Sequence, residues 1–447
     1  MSKQSNKSQI LSTDEGKTQS NAIEIPSIEL PKGGGALKGI DEKFSVNAVN
    51  GTSSFAIPLP FSPSRGLTPS LNLSYNSGGG NGVFGLGWSC NVSSIKRKTD
   101  KELPRYFDEE DSDTFLFSDT EDLVPEFSKD TDGIFITDTD GNYVINEYNS
   151  PDGLFLIRYY KPRTEGMFAR IERWTEKASG EIKWRVTTKD NVTTLFGWSN
   201  NSRIANPQDR HKVYEWLVEF VFDDKGNTAH YIYKEEDIKG IDQLQIHNKN
   251  RIDSNGLIKY TNRYLEKVLY GNKTPYKQLG DAFPFEDDYM FSTVFDYGEY
   301  NTLSPYDKIN DWNYRNDTFS DYKPGFEIRT TRLCNRVLTF HHFDEYEGLV
   351  KSLNFTYDTD IEQDFTFLTA ITSYGYIKKT DGSYSHKKLP PMEFGYQKHE
   401  WSKEIKSVNI DDLVNAPVGL DESAYHHHHQ GQRVVIYSLI RYRMVFV

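Results

Sequence analysis

Residues 209–237 read DRHKVYEWLVEFVFDDKGNTAHYIYKEED. Trp216, Val218, Phe220 and Phe222 occupy every second position, so in an extended chain they line one face. The polar cluster Asp223-Asp224-Lys225-Gly226-Asn227 follows, and aromatic and β-branched residues resume in HYIYK. This is the rhythm of a strand, a tight turn and a returning strand, with Gly226-Asn227 at the turn.

The same texture spreads outward in both directions. SSFAIPLPF (53–61), SLNLSYN (70–76), TFLFSD (114–119), GLFLIRYY (153–160) and KWRVTTK (183–189) are short runs bounded by Gly, Asn and Asp. Asp132-Gly133, Asp140-Gly141, Asp152-Gly153 and Asp381-Gly382 sit between such runs and suit type I′ hairpin turns. The stretch from Lys267 to Phe295 is ambiguous, although YGNKTPY would break any helix there. Aromatics make up 14% of the chain, with 28 Tyr and 27 Phe, which favours pleated surfaces over helices. The expectation is an all-β chain of many antiparallel hairpins, forming a large curved sheet with long loops.

The 447 residues correspond to two to four domains or one extended architecture. With 52 Lys and Arg against 65 Asp and Glu, the formal net charge is −13, which excludes a nucleic-acid binder and a polybasic membrane anchor. No run approaches the ~18 apolar residues of a membrane helix, so no direct membrane insertion is expected. The N-terminal MSKQSNKSQILSTDEGKTQSN lacks the apolar core of a Sec signal, and residues 1–29 read as a disordered leader. The chain is expected in a cytoplasm first and outside the cell only by a non-Sec route.

Candidate chemistry is sparse. Cys90 and Cys334 form neither a disulfide framework nor a zinc site and read as buried thiols. Gly78-Gly79-Gly80, Gly82, Gly85 and Gly87 open no helix and precede no Gly-Lys-Ser/Thr, so they read as tight turns and close packing. Trp88 is expected buried against that backbone. DTDGN (138–142) fails the calcium-loop pattern at Tyr143 and Asn149. The acidic runs FDEEDSD (107–113) and PFEDD (284–288) read as solvated loops. His341 and His342 should point to opposite faces of a strand, and His426 to His429 have no second ligand set. No Gly-x-Ser-x-Gly elbow occurs. The expectation is therefore no catalytic, cofactor-binding or metal-binding residue, and no cofactor.

The order of several longer boxes adds a resemblance. LPKGGGALKGIDEKFSVNAVNGTSSFAIPLPF (30–61), LSYNSGGGNGVFGLGW (73–88), IKRKTDKELPRY (95–106), the opening 209–237 segment, FEIRTTRLCNRVLTFHHF (326–343) and LPPMEFGYQ (389–397) occur in sequence. Together they resemble the N-terminal domain shared by the Salmonella virulence plasmid B protein (SpvB) and the B components of insecticidal toxin complexes (TcB). The resemblance implies a β domain over 30–405 that opens a larger toxin with an Rhs-like shell, and a non-enzymatic structural role. It implies as partners an A-type translocation pore and a C-type effector-bearing component. In the family a propeller repeat would follow NIDDLVNAPVGLDESAY, which here leads into HHHHQGQRVVIYSLIRYRMVFV, so 406–447 is expected to be a truncated junction to a missing propeller with an atypical tail, the alternative being a natural short paralogue with its own tail. The competing expectation is a carbohydrate-active or ADP-ribosylating toxin enzyme with an unrecognised site.

Overall fold

The structure, a computed structural model, describes residues 52–396 apart from short gaps at 165, 167, 254, 278, 302–303 and 359–364, plus the backbone of strands at Ala22–Ile23 and Lys43–Asn47. The expected leader lies outside the described residues except for Ala22–Ile23. The expected tail, with His426 to His429, lies outside them entirely.

The regular secondary structure of the described residues is almost wholly antiparallel β, as expected. Strands Ser94–Arg97, Phe115–Phe117, Glu121–Pro125, Phe155–Pro162, Arg170–Glu176, Ile182–Thr187, Thr193–Phe196 and Asp209–Phe222 pair in that order. The circle closes where Glu215, Trp216 and Leu217 pair with Lys96, Ile95 and Ser94. Eight strands give a barrel just wide enough to be filled by side chains. Here Phe115, Tyr160, Trp184 and Trp216 fill it, with ring centroids 4.9 to 6.1 Å apart. Such edge-on aromatic pairs each contribute about 0.5–1.5 kcal/mol beyond their area.

The last ring strand, Asp209–Phe222, also begins a second sheet. Its C-terminal end pairs with Thr228–Glu235 through the turn at 223–227. A meander continues through Arg263–Asn272, Tyr289–Asp296, Arg336–Phe343, Tyr346–Asp358, Phe367–Lys378 and Tyr384–Lys388. The ambiguous 267–295 stretch is thus two paired strands and a loop. A smaller sheet, Lys43–Asn47, Ser53–Pro58, Asn72–Asn76 and Trp88–Cys90, packs against the meander. Phe84 meets Phe355, and Trp88 meets Phe394. The connection at 60–62 is tied down by hydrogen bonds from the Thr339 hydroxyl to the Pro60 carbonyl and from the Ser62 amide to the Tyr270 hydroxyl, each 2.8 Å.

Three expectations need correction. Trp216, Val218, Phe220 and Phe222 do not share a face. The pairing slips between Leu195–Phe220 and Phe196–Val218, leaving Glu219 as an extra residue. A β-bulge reverses the alternation beyond it. Trp216 and Val218 join the main core, while Phe220 and Phe222 pack with Leu195, Tyr276 and Phe283. The buried Glu219 carboxylate holds the bulge by accepting from the Ser199 amide (2.7 Å) and the Ser202 hydroxyl (2.5 Å).

The Asp-Gly turns are not type I′, which requires positive φ at both central residues. Asp132 and Asp140 have ordinary φ, and only Gly133 and Gly141 are left-handed. Each glycine amide donates to the carbonyl three residues earlier, at Asp130 and Asp138. The Asp130 carboxylate also accepts from the amides of Asp132 and Ile134, and Asp138 from those of Asp140 and Asn142. These are type I turns closed by a glycine and braced by the first aspartate.

Trp88 is buried, but its ring rests on Phe55, Tyr75 and Phe394 rather than on glycines. The glycine box instead lets backbones approach. At Gly85, with φ +89°, a Cβ would lie 2.7 Å from the Thr366 carbonyl oxygen, whereas Gly80 has open space. Gly85→Val should therefore cost roughly 1–3 kcal/mol through strain and overpacking. Gly80→Val should melt close to the parent, and equal melting of both variants would contradict the packing role.

Candidate functional site

The ring interior is the most highly organised chemical environment. Arg97, fully buried, donates through Nε to the Val213 carbonyl at 2.7 Å. Its terminal nitrogens reach both Asp108 oxygens at 2.8 Å and Asp113 at 2.7 Å. Its guanidinium lies over Tyr106, Phe115 and Trp216. Arg173 enters from the opposite wall, over Phe115 and Tyr160, and pairs with Asp111 at 3.2 Å. Asp111 also holds Arg158 at 2.8 Å. The 107–113 segment is therefore not simply a solvated loop: its carboxylates cap the barrel because buried guanidinium groups require paired charge. The 284–288 run does stay at the surface, with Phe285 79% exposed.

A second buried cluster fastens the two long loops that leave the meander, 236–262 and 297–335. Arg332 and Glu236 are both fully buried and pair at 2.8 Å. Glu236 also accepts from the Tyr264 hydroxyl at 2.7 Å and from Thr331. Arg332 lies 4.2 Å over the Trp312 ring, and Trp312 Nε1 donates to Asp237 at 2.8 Å. Every charge in this cluster is matched by a structural partner, so its chemistry is that of a clasp.

Nucleophile-like pairs are present but badly placed. His341 Nε2 lies 2.7 Å from Ser62 Oγ on one face, and His342 Nε2 lies 2.8 Å from Ser292 Oγ on the other, as their adjacency predicts. Glu347 stands 3.7 Å from His342 Nδ1, completing a triad-like row. However, Ser292 is buried in a strand whose ladder is paired on both sides, so its neighbours' amides are engaged there. Acyl transfer needs an approachable hydroxyl and free oxyanion donors. Burial pushes both imidazoles below their usual range. Desolvation also pushes the thiol of the half-buried Cys90 up to about 12 and that of the fully buried Cys334 well up, which keeps both protonated and unreactive. Among the described residues no three His, Cys, Asp or Glu side chains converge on a metal position.

One surface cleft, about 170 Å³, is lined by Lys98, Asp100, Asp122 and Arg163 among others. Lys98 pairs with Asp122 at 2.8 Å and Asp100 at 3.4 Å, and Arg163 pairs with Asp122 at 3.5 Å. Its volume is below the ~300 Å³ floor of ordinary ligand sites.

One feature escaped the sequence reading. Residues 127–150 contain an eight-residue period: FSKDTDGI, FITDTDGN, YVINEYNS. The amide of Ser128 donates to Val144, that of Val144 to Ile136, and that of Ile136 to Ser128, closing a three-sided knob. Phe127, Phe135 and Tyr143, equivalent in the repeat, contact one another at 5.3 to 6.4 Å. Self-comparison at short period would have revealed it, since the signal is the recurrence of Asp-Thr-Asp-Gly after an aromatic residue.

A filled ring and an antiparallel meander that share one strand define an all-β module. Comparisons place it more closely. A profile of the family described as Salmonella virulence plasmid 65kDa B protein matches residues 47–343, and the chain belongs to that family. The mono(ADP-ribosyl)transferase SpvB of Salmonella typhimurium is 37% identical over 340 residues, covering 74% of this chain and 54% of its own length. The chain thus spans about half the length of the curated relatives it matches. The N-terminal domain of effector protein SpvB from Salmonella typhimurium strain LT2 is 36% identical with a TM-score of 0.60, over 72% of this chain and 98% of that one. The TcdB2-TccC3 structure gives 33% identity and a TM-score of 0.67, over 85% and 18%. The Photorhabdus luminescens Tc holotoxin pore gives 32% and 0.67, over 84% and 17%. The expected family and fold are both borne out.

The ring seam supplies a titration test. Desolvation holds the Glu215 carboxyl above its usual range, against the opposing pull of Lys96 and the Ser94 hydroxyl. The native state therefore binds this proton more readily than the unfolded chain, whose carboxyl titrates near ~4.3. That contribution to stability is lost as pH rises through the native value. Glu215→Gln should raise the melting temperature at pH 8, with an advantage that shrinks on acidification. A variant less stable than the parent at pH 8 would mean that the charge supports the seam.

Proposed function

We propose that this chain is a non-enzymatic structural segment of a Tc/SpvB-type toxin. It contributes a stiff β wall that helps carry or enclose a cytotoxic effector. The observation that carries this reading is the filled ring: the place where an eight-stranded barrel could hold a ligand is occupied by Arg97, Phe115, Trp184 and Trp216. In this reading the transferase activity in the relatives' name belongs to the part of those proteins outside the matched half. An A-type translocation pore and a C-type effector-bearing component would be the partners, engaged mainly through other parts of the toxin. Release would follow a non-Sec route. No described helix is long and apolar enough to cross a membrane.

The end of the meander fits a wall segment that is soluble by itself. The strand Tyr384–Lys388 carries Lys387 and Lys388 and runs into Pro390-Pro391, ahead of the short strand Met392–Glu393 on the same neighbour, and these lysines and prolines blunt an edge against uncontrolled pairing. The purified chain should give no NAD-dependent labelling of actin or lysate proteins above a no-protein control, in a reaction where a full-length SpvB relative labels. Labelling by this chain would overturn the non-enzymatic reading.

A further inference from the structure

The knob at 127–146 is a concentrated exposed apolar surface. Ile134, Ile136 and Val144 are exposed beside Phe135 and Tyr143, with Ile134 at 65% and Tyr143 at 56%. Singly scattered apolar residues need no explanation, but a contiguous protruding group marks an interaction surface. The aromatic triad is not a cage for a free cation, because the three rings pack directly on one another. Its rim is strongly acidic. From 126 to 147 there are six carboxylates (Glu126, Asp130, Asp132, Asp138, Asp140 and Glu147) against the single Lys129. Lys129 already shows how a cation sits here, with its ammonium 4.8 Å over the Phe135 ring.

The complementary surface exists elsewhere on the same chain. The terminal hairpin of the meander, residues 374–388, carries Lys378, Lys379, Lys387 and Lys388 against the single Asp381. All four lysines are exposed, and so is Ile377, at 69%. This is a basic, partly apolar edge on a chain of net charge −13. The two surfaces belong to different ends of the β system. The knob interrupts the ring between Glu121–Pro125 and Glu147–Asn149, which both pair with Phe155–Pro162. The hairpin lies seven ladder steps beyond the shared strand, about 34 Å along the sheet at ~4.8 Å per step.

We propose that the acidic aromatic knob of one copy docks on the lysine-rich terminal hairpin of a second copy, giving a head-to-tail self-association. Such a contact uses two different patches, so every added copy leaves one knob and one hairpin free, and growth passes the dimer until a ring closes or continues as an open chain. Lysine ammonium groups lie over Phe135 and Tyr143 as Lys129 does, Ile377 covers the exposed isoleucines, and the opposed charges fix the partner's orientation. The inference does not depend on the toxin reading.

Light scattering and sedimentation of the full chain test it. In low salt, average mass should rise with concentration past that of a dimer, and the rise should fall at least threefold at about 0.5 M salt, where screening reaches within a few ångströms. Ile134→Ser/Tyr143→Ser and Lys387→Glu/Lys388→Glu, all at exposed positions, should each be monomeric with unchanged circular dichroism. Mixed together they should form a one-to-one pair and nothing larger, because each retains the patch that the other has lost. A wild-type chain that stays monomeric at every concentration and salt would overturn the proposal. So would association that survives either double substitution, since its contact then lies elsewhere.

Discussion

The shared strand Asp209–Phe222 constrains everything else in this molecule. It closes the ring through Glu215, Trp216 and Leu217, and starts the meander through Phe220, Val221 and Phe222. Serving both sheets requires its two ends to present different faces to different cores. The bulge at Glu219 provides that change, and the Ser199 and Ser202 donors keep the extra carboxylate satisfied. Loss of that bulge would shift the register of one sheet by a residue and turn its apolar positions outward.

The ring then imposes its own demands. A barrel of this size cannot stay empty, and part of its filling is guanidinium rather than hydrocarbon. Arg97 and Arg173 bring long side chains that stack on aromatic rings, and their charge recruits the 107–113 carboxylates to the mouth. Buried ion pairs add little net stability but strongly penalise any arrangement that separates them. The clasp of Arg332 and Glu236 acts likewise on the long loops. A wall element benefits from such specificity, because its job under the proposed function is to hold one shape.

Much of this was legible in the sequence, and the failures have physical causes. Period-two patterning in 209–237 announced strands correctly, and the ordered boxes pointed to the right family. The identical spacing of Trp216, Val218, Phe220 and Phe222 concealed the bulge, since Glu219 falls where a regular strand would place a polar residue and its burial depends on Ser199 and Ser202. The acidic run at 107–113 read as solvated because the partners of Asp111 and Asp113 lie far away in sequence or inside a strand: Arg158 and Arg173 are tens of residues distant. His341 and His342 were placed correctly on opposite faces, because strand geometry alone decides that. Ring closure between Ser94–Arg97 and the shared strand was invisible, as pairing across such a separation leaves no local signal.

Because ring and meander share one bulged strand, they should unfold as a single cooperative unit. Hydrogen exchange followed by mass spectrometry under increasing denaturant tests it most directly. The amides of 214–222, together with 182–187 in the ring and 336–343 in the meander, should share one opening free energy and one denaturant dependence, set by global unfolding. If the ring peptides exchange through an opening that leaves the meander protected, or the reverse, the two sheets are independent units and the shared strand does not couple them.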